Sequence, residues 1–262
     1  MFMKTINILA ISIASISFLF GIEATAQSKR SKSSTGRKIT TTKTTPASSQ
    51  TSGTITQTQA ITGIKQALGY GLNNSINTLS ATDGFLGNAA VKILMPKEAQ
   101  QIEKTLRSIG MGSLCDKFVM SLNRAAESAV KEAAPVFVNA LSQMTVTDAF
   151  NILLGSEQDA ATSFFKRTTS AALSSKFSPI VESALGKNNV SGYWTQLTSA
   201  YNNLPLARNK VDTDLNAYVT EKAIEGLFVQ VATEELKIRQ NLVGSRNSNI
   251  LNDVFGWVDK QK

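Results

Sequence analysis

The sequence predicts one all-α domain, and three observations carry that prediction. From residue 59 to residue 262 the apolar side chains recur at i, i+3, i+4 and i+7 almost throughout, the spacing that gathers them on one helical face. Between those runs stand Pro, Gly and Thr/Ser-x-x-Asp, the residues that start and stop helices. Hydrophobic residues make up 42% and charged residues 18%, a balance that suits a packed domain, and about two hundred residues suffice for one sizeable core.

Taken in order, residues 1–26 read as a cleaved export signal. Lys4 supplies the basic start, residues 6–22 an apolar run, and Ala24-Thr25-Ala26 the small-x-small cleavage site, with Gln27 as the mature N-terminus. The run is short of the ~20 apolar residues that span a bilayer, so no transmembrane span is expected in the mature protein. Residues 27–58 are rich in Ser, Thr and Lys and nearly free of large apolar side chains. Such a segment cannot offset its ordering entropy by burial, and a disordered linker is expected. Lys29, Arg30, Lys32, Arg37, Lys38 and Lys43 give it +6 of the chain's net +8. Lys4 and Glu23 cancel in the signal, which leaves +2 on the domain at 59–262. A basic tail on an exported chain fits an anionic surface, and without interleaved aromatics it does not fit nucleic acid.

Within the domain, residues 81–95 are too apolar for an ordinary loop and read as a buried, extended connector. Pro96 before Lys97-Glu98 starts a helix. Gly110 and Gly112 mark a stop and a restart near Ser113. Phe118, Leu122, Ala125, Ala126, Ala129 and Ala133 form an alanine-rich stripe that allows close helix approach. Thr145-x-x-Asp148 and Ser156-x-x-Asp159 read as capping boxes, and Pro135, Pro179 and Pro205 as local breaks or starts. Val190, Tyr193, Trp194, Leu197, Ala200, Tyr201 and Leu204 make a second stripe. Asp212, Asp214 and Asn216 imitate half a calcium loop, but Ala217 and Ala223 occupy its required Gly and Glu positions; these residues read as the start of a long helix. Ile224, Leu227, Phe228 and Val231, continued by Ile238, make the third stripe, with Glu235 and Arg239 as an exposed i,i+4 pair.

The chain has no histidine and one cysteine. That removes Ser-His and Cys-His couples, imidazole metal sites, zinc clusters and internal disulfides, and no cofactor is expected. Ser128-x-x-Lys131 and Ser163-x-x-Lys166 match the serine acyl-enzyme spacing and Ser121-x-Asn123 its second motif, but no Lys-Thr-Gly exists and the order is wrong. Gly110-x-Gly112 is no dinucleotide fingerprint. Cys115 reads as a small buried hydrophobe, as free cysteines usually do. The polar cluster of Asn123, Arg124, Glu127 and Lys131, and that of Glu221, Lys222 and Glu225, are either solvated faces or, if Arg124 is buried against an acid, a structural pair or a ligand clamp.

Asp83-Gly84-Phe85-Leu86, Leu122-Asn123-Arg124-Ala125-Ala126-Glu127, Tyr201-Asn202-x-Leu204-Pro205 and Tyr218-Val219-Thr220-Glu221-Lys222-Ala223 together resemble bacterial domain-of-unknown-function family 4197, over roughly residues 61–255. The resemblance implies an exported helical domain and carries no catalytic role. It singles out Asn123, Arg124, Glu127, Tyr201, Tyr218 and Lys222 as candidate ligand contacts. The functional expectation is a non-enzymatic domain of a Gram-negative periplasm that binds an apolar or amphipathic ligand, with Phe164, Phe165, Trp194, Tyr201 and Phe228 either lining a pocket or filling the core. The alternative is an interaction module for an envelope protein, tethered by the basic tail. A carboxylate-only wall glycosidase is the third class; it requires Glu127 and Glu221 or Glu225 to face each other across a cleft.

Overall fold

The computed structural model describes residues 55–204, 213–242 and 244–261, all within the compact unit Gln50–Lys262. The expected signal at 1–26, the basic residues of the linker, Pro205 and Asp212 lie outside the described residues. Among the described residues there are nine α-helices and no strand: α1 Gln57–Ser80, α2 Gln100–Ser108, α3 Gly112–Val130, α4 Ala133–Gln143, α5 Val146–Leu154, α6 Ala160–Lys187, α7 Val190–Asn202, α8 Leu215–Arg239 and α9 Asn249–Asp259. None of these helices is long and apolar enough to cross a membrane.

The first helix opens at Gln57, inside the expected linker. Thr56 accepts from the Gln59 N–H while the Gln59 side chain accepts from the Thr56 N–H, a reciprocal cap that fixes the start. Pro96 leads into a 3-10 turn over Lys97–Ala99 that continues as α2. Gly110, at φ 87°, separates α2 from α3. Thr145 and Asp148 form the capping box expected at the start of α5.

The two central helices are α3 and α8, which pack on each other and are flanked by α1 and α6. The alanine stripe of α3 makes this possible: Phe118, Leu122, Ala125, Ala126 and Ala129 are fully buried, and Ala133 belongs to α4. From α8, Val219, Ala223, Leu227, Phe228, Val231 and Ile238 are buried. Each large side chain so buried contributes roughly 1.5–3 kcal/mol. Helices α4 and α5 bridge α1 and α6, α2 and α7 cover α3, and α9 packs along α1.

Three expectations require correction. Pro179 does not break its helix: α6 runs through it to Lys187. Phe177 and Val181 anchor the helix in the core on both sides, while Pro179 itself is exposed. Ser156 and Asp159 form no capping box, for Asp159 makes no side-chain cap bond. Instead Glu235 reaches across from α8 and accepts from the Ala161 N–H, the Thr162 N–H and the Thr162 hydroxyl at 2.8–2.9 Å. This is also why Glu235 and Arg239 are not an exposed pair. Their side chains are 5% and 8% exposed, and Arg239 donates to Glu235 and to the Ile152 carbonyl. A carboxylate seated on the positive end of α6 and balanced by a guanidinium locks α8, α6 and α5 together.

Candidate functional site

Residues 81–96 carry no helix and thread between α3 and α8. Asp83 takes a left-handed φ of 65°, and the next residue must be Gly: a Cβ on Gly84 would lie 2.4 Å from the Thr78 carbonyl oxygen at the end of α1. The tight turn drives Phe85 into the core, fully buried against Gly226 of α8, where an added Cβ would stand 2.7 Å from the Phe85 ring. Beyond it, Val91, Ile93 and Met95 are buried while Lys92 and Leu94 are exposed. That alternation is the period of an extended strand, and Pro96 restricts Met95 to the extended region as well.

Three polar residues of α3 clamp this connector. The Asn123 carboxamide is fully buried; its Oδ1 accepts from the Ile93 N–H at 2.9 Å and its Nδ2 donates to the Ile93 carbonyl at 2.8 Å. The side chain thus bonds the backbone as a neighbouring strand would. Glu127, also buried, accepts from the Phe85 N–H at 3.3 Å and pairs with Arg124 at 2.7 Å. Arg124 joins Asp83 at 2.7 Å with its second terminal nitrogen. The hydrogen bond to Glu127 raises the Arg124 pKa above its ordinary value, with burial opposing and Asp83 adding to the rise.

From the other side, the Tyr218 hydroxyl of α8 donates to the Leu94 carbonyl at 3.0 Å. Burial, with Glu98, Glu225 and Glu221 nearby, pushes its phenol up, and Lys222 alone opposes. Lys222 is paired with Glu225, a hydrogen bond that raises the ammonium pKa. Between residues 90–100 and α8 lies an open groove of about 490 Å³. Its aliphatic surface is Leu94 and Val229, 56% and 40% exposed; its charged rim is Lys92, Lys97, Lys222, Glu98, Glu221 and Glu225.

Five of the six residues singled out from sequence therefore lie along one connector. Asn123, Arg124 and Glu127 hold it, while Tyr218 and Lys222 line the groove beside it. Tyr201 sits apart on α7, half-buried against the core. Lys131 is exposed beyond α3. The family model for DUF4197, a protein of unknown function, matches residues 54–256. The chain belongs to the DUF4197 family. No curated protein matches it, and no solved structure does. The match begins at 54, ahead of the resemblance read from residue 61, and takes in the Thr56 cap of α1.

In this DUF4197 domain, sequence reasoning missed Leu94, Glu98 and Val229 as groove residues. The burial alternation over 91–95 was the available signal, masked because Leu94 is itself apolar. Glu127 is buried and committed to the Phe85 N–H and to Arg124, while Glu221 and Glu225 line the groove, so Glu127 does not share that groove with them. Among the described residues no three carboxylate or thiol groups gather as a metal ion requires. Cys115 is fully buried in the first turn of α3, and that burial raises its thiol pKa. The core aromatics pack on one another: Phe137 meets Phe165 and Phe228 edge-on at 5.5 and 6.4 Å, and Phe118 stacks on Trp194 at 5.3 Å. An apolar hollow of about 20 Å³ by Ile64, Leu68, Ile152 and Phe255 has room for one water rather than a ligand.

Proposed function

We propose that this protein is a non-catalytic binding domain exported to the periplasm, and that the groove between residues 90–100 and α8 takes an amphipathic ligand. One observation carries the reading. The groove combines exposed aliphatic side chains, Leu94 and Val229, with a rim of both charges, whereas the aromatic interior is filled. A ligand with an apolar part and polar flanks matches that lining better than a purely apolar one. The non-catalytic reading is supported by the commitments of the polar residues. Asn123, Arg124 and Glu127 spend their hydrogen bonds on the connector, and Lys222 is held by Glu225. Export rests on the basic start, apolar run and Ala24-Thr25-Ala26 site of the first 26 residues.

The test is native mass spectrometry of the protein purified gently from periplasmic extract, beside the double variant Leu94→Asp, Val229→Asp. The expected result is a mature chain beginning at Gln27, with an adduct of defined mass on the wild type that the variant lacks. Identical spectra from the two proteins would remove the groove as the binding site.

A further inference from the structure

We infer that the ligand of this groove is an extended peptide from another protein, added as a β-strand to the open backbone edge at Leu94, with an aliphatic residue beside a basic one. The inference rests on reading the groove as the binding site and names what it binds.

The backbone supplies the argument. In an extended chain, the N–H and C=O of one residue point to one side and those of the next residue to the other. Asn123 occupies the N–H and C=O of Ile93 from the α3 side. Those of Leu94 therefore face away from α3, toward α8, where the groove lies. Among the described residues the Leu94 carbonyl is met there only by the Tyr218 hydroxyl, and the Leu94 N–H meets no acceptor. An otherwise helical domain thus holds one extended segment, paired along one edge by a side-chain amide and open along the other. A peptide strand laid in the groove exchanges two hydrogen bonds with Leu94 and displaces the Tyr218 hydroxyl, the main-chain recognition used in β-augmentation.

Side-chain chemistry narrows the partner. Every second residue of the incoming strand faces the same way, so an aliphatic side chain can lie on Leu94 and Val229. Around Tyr218 stand Glu98, Glu221 and Glu225 with Lys222 as the opposing charge; Lys222 and Glu225 pair with each other, which leaves Glu98 and Glu221 as the acidic end. A Lys or Arg flanking the aliphatic residue complements that acidic end. Lys92 and Lys97 also line the groove and favour an acid at another position of the peptide.

The test uses the mature full-length chain and a fluorescein-labelled, capped pentapeptide, Lys-Val-Thr-Val-Lys, followed by anisotropy. Two further versions carry backbone N-methyl groups, one at odd and one at even residues. A strand pairs through one edge only, so one N-methyl phase should weaken binding about tenfold or more while the other leaves it unchanged. Tyr218→Phe, which frees the Leu94 carbonyl, should tighten binding severalfold, and Val229→Asp should abolish it. Equal binding of both N-methyl phases would overturn strand pairing without altering the protein. No peptide binding, with a spin-labelled lauric acid occupying the groove instead, would overturn the peptide and leave the groove reading intact. Failure of both probes would overturn the two together.

Discussion

A single buried carboxamide decides the shape of the candidate site. Asn123 makes three hydrogen bonds, two to Ile93 and one to the Val119 carbonyl at 2.7 Å, and none is to solvent. Asn123→Ala leaves the Ile93 N–H and C=O unpaired in the interior, at ~1–3 kcal/mol for each orphaned group. The expected outcome is a loss of about 3 kcal/mol in urea unfolding, with faster amide exchange at Ile93 than in the wild type. A loss under ~0.5 kcal/mol would mean that the connector is held by its apolar contacts alone. The neighbouring Arg124 shows what sequence can and cannot reach at this scale. An Arg in an alanine-rich helix was readable either as part of a solvated face or as a residue set against an acid, and its partner Glu127, three residues on, is the buried member of the pair. Its second partner, Asp83, lies 41 residues earlier, and no local spacing points to it.

At the scale of elements, the local cap of α5 was legible, the equally local cap of α1 was lost in the Ser/Thr-rich run before it, and a cap supplied from another helix left no local mark. The box at α5 is local: Asp148 accepts from the Thr145 N–H at 3.0 Å and from its hydroxyl at 2.6 Å. The hydroxyl bond first, then the backbone bond, hold the Asp148 pKa below its ordinary value. A depressed carboxylate adds stability above its unfolded pKa and loses it as pH falls through the folded one. Thr145→Ala should therefore cost about 1 kcal/mol near neutral pH, and the gap to wild type should narrow below pH ~4. Thermal unfolding from pH 7 to 3 checks this, and a constant gap would contradict it. The cap of α6 comes instead from Glu235, 73 residues away, and the same residue misled the reading of α8. Periodicity marks which positions are apolar; it does not reveal that a helix buried between α1, α3 and α6 has little solvated face left for an i,i+4 pair. The contact between α8 and the connector is another such long-range fact. Gly226→Ala gains ~1 kcal/mol of helix propensity but drives a methyl to 2.7 Å from the Phe85 ring and 3.2 Å from Val91. Overpacking of this kind costs ~1–3 kcal/mol, so a net loss of about 1 kcal/mol is expected in urea. A stabilised variant would show that Phe85 has room to yield.

Over the whole molecule, the helical stripes sufficed to predict an all-α domain with one core because each helix presents its own face. The groove was not predictable, since it lies where two distant segments meet without closing. The packing ties those segments to everything else. Helix α1 touches α3, α4, α5, α8 and α9, so the first and last helices are joined, and α8 contacts α1, α3 and α6. Trp194 on α7 and Trp257 on α9 report from separate parts of this arrangement. In the single-tryptophan variants Trp194→Phe and Trp257→Phe, fluorescence and far-UV circular dichroism should give one common urea midpoint, as one cooperative unit requires. An earlier transition at Trp257 would mean that α9 detaches from α1 before the core opens. If the unit is single, a ligand in the groove stabilises all of it: at ten times its Kd it adds about 1.4 kcal/mol. That increment should appear at Trp194 and Trp257 alike, although neither lines the groove. A shift confined to one of them would show that the groove is coupled to only part of the core.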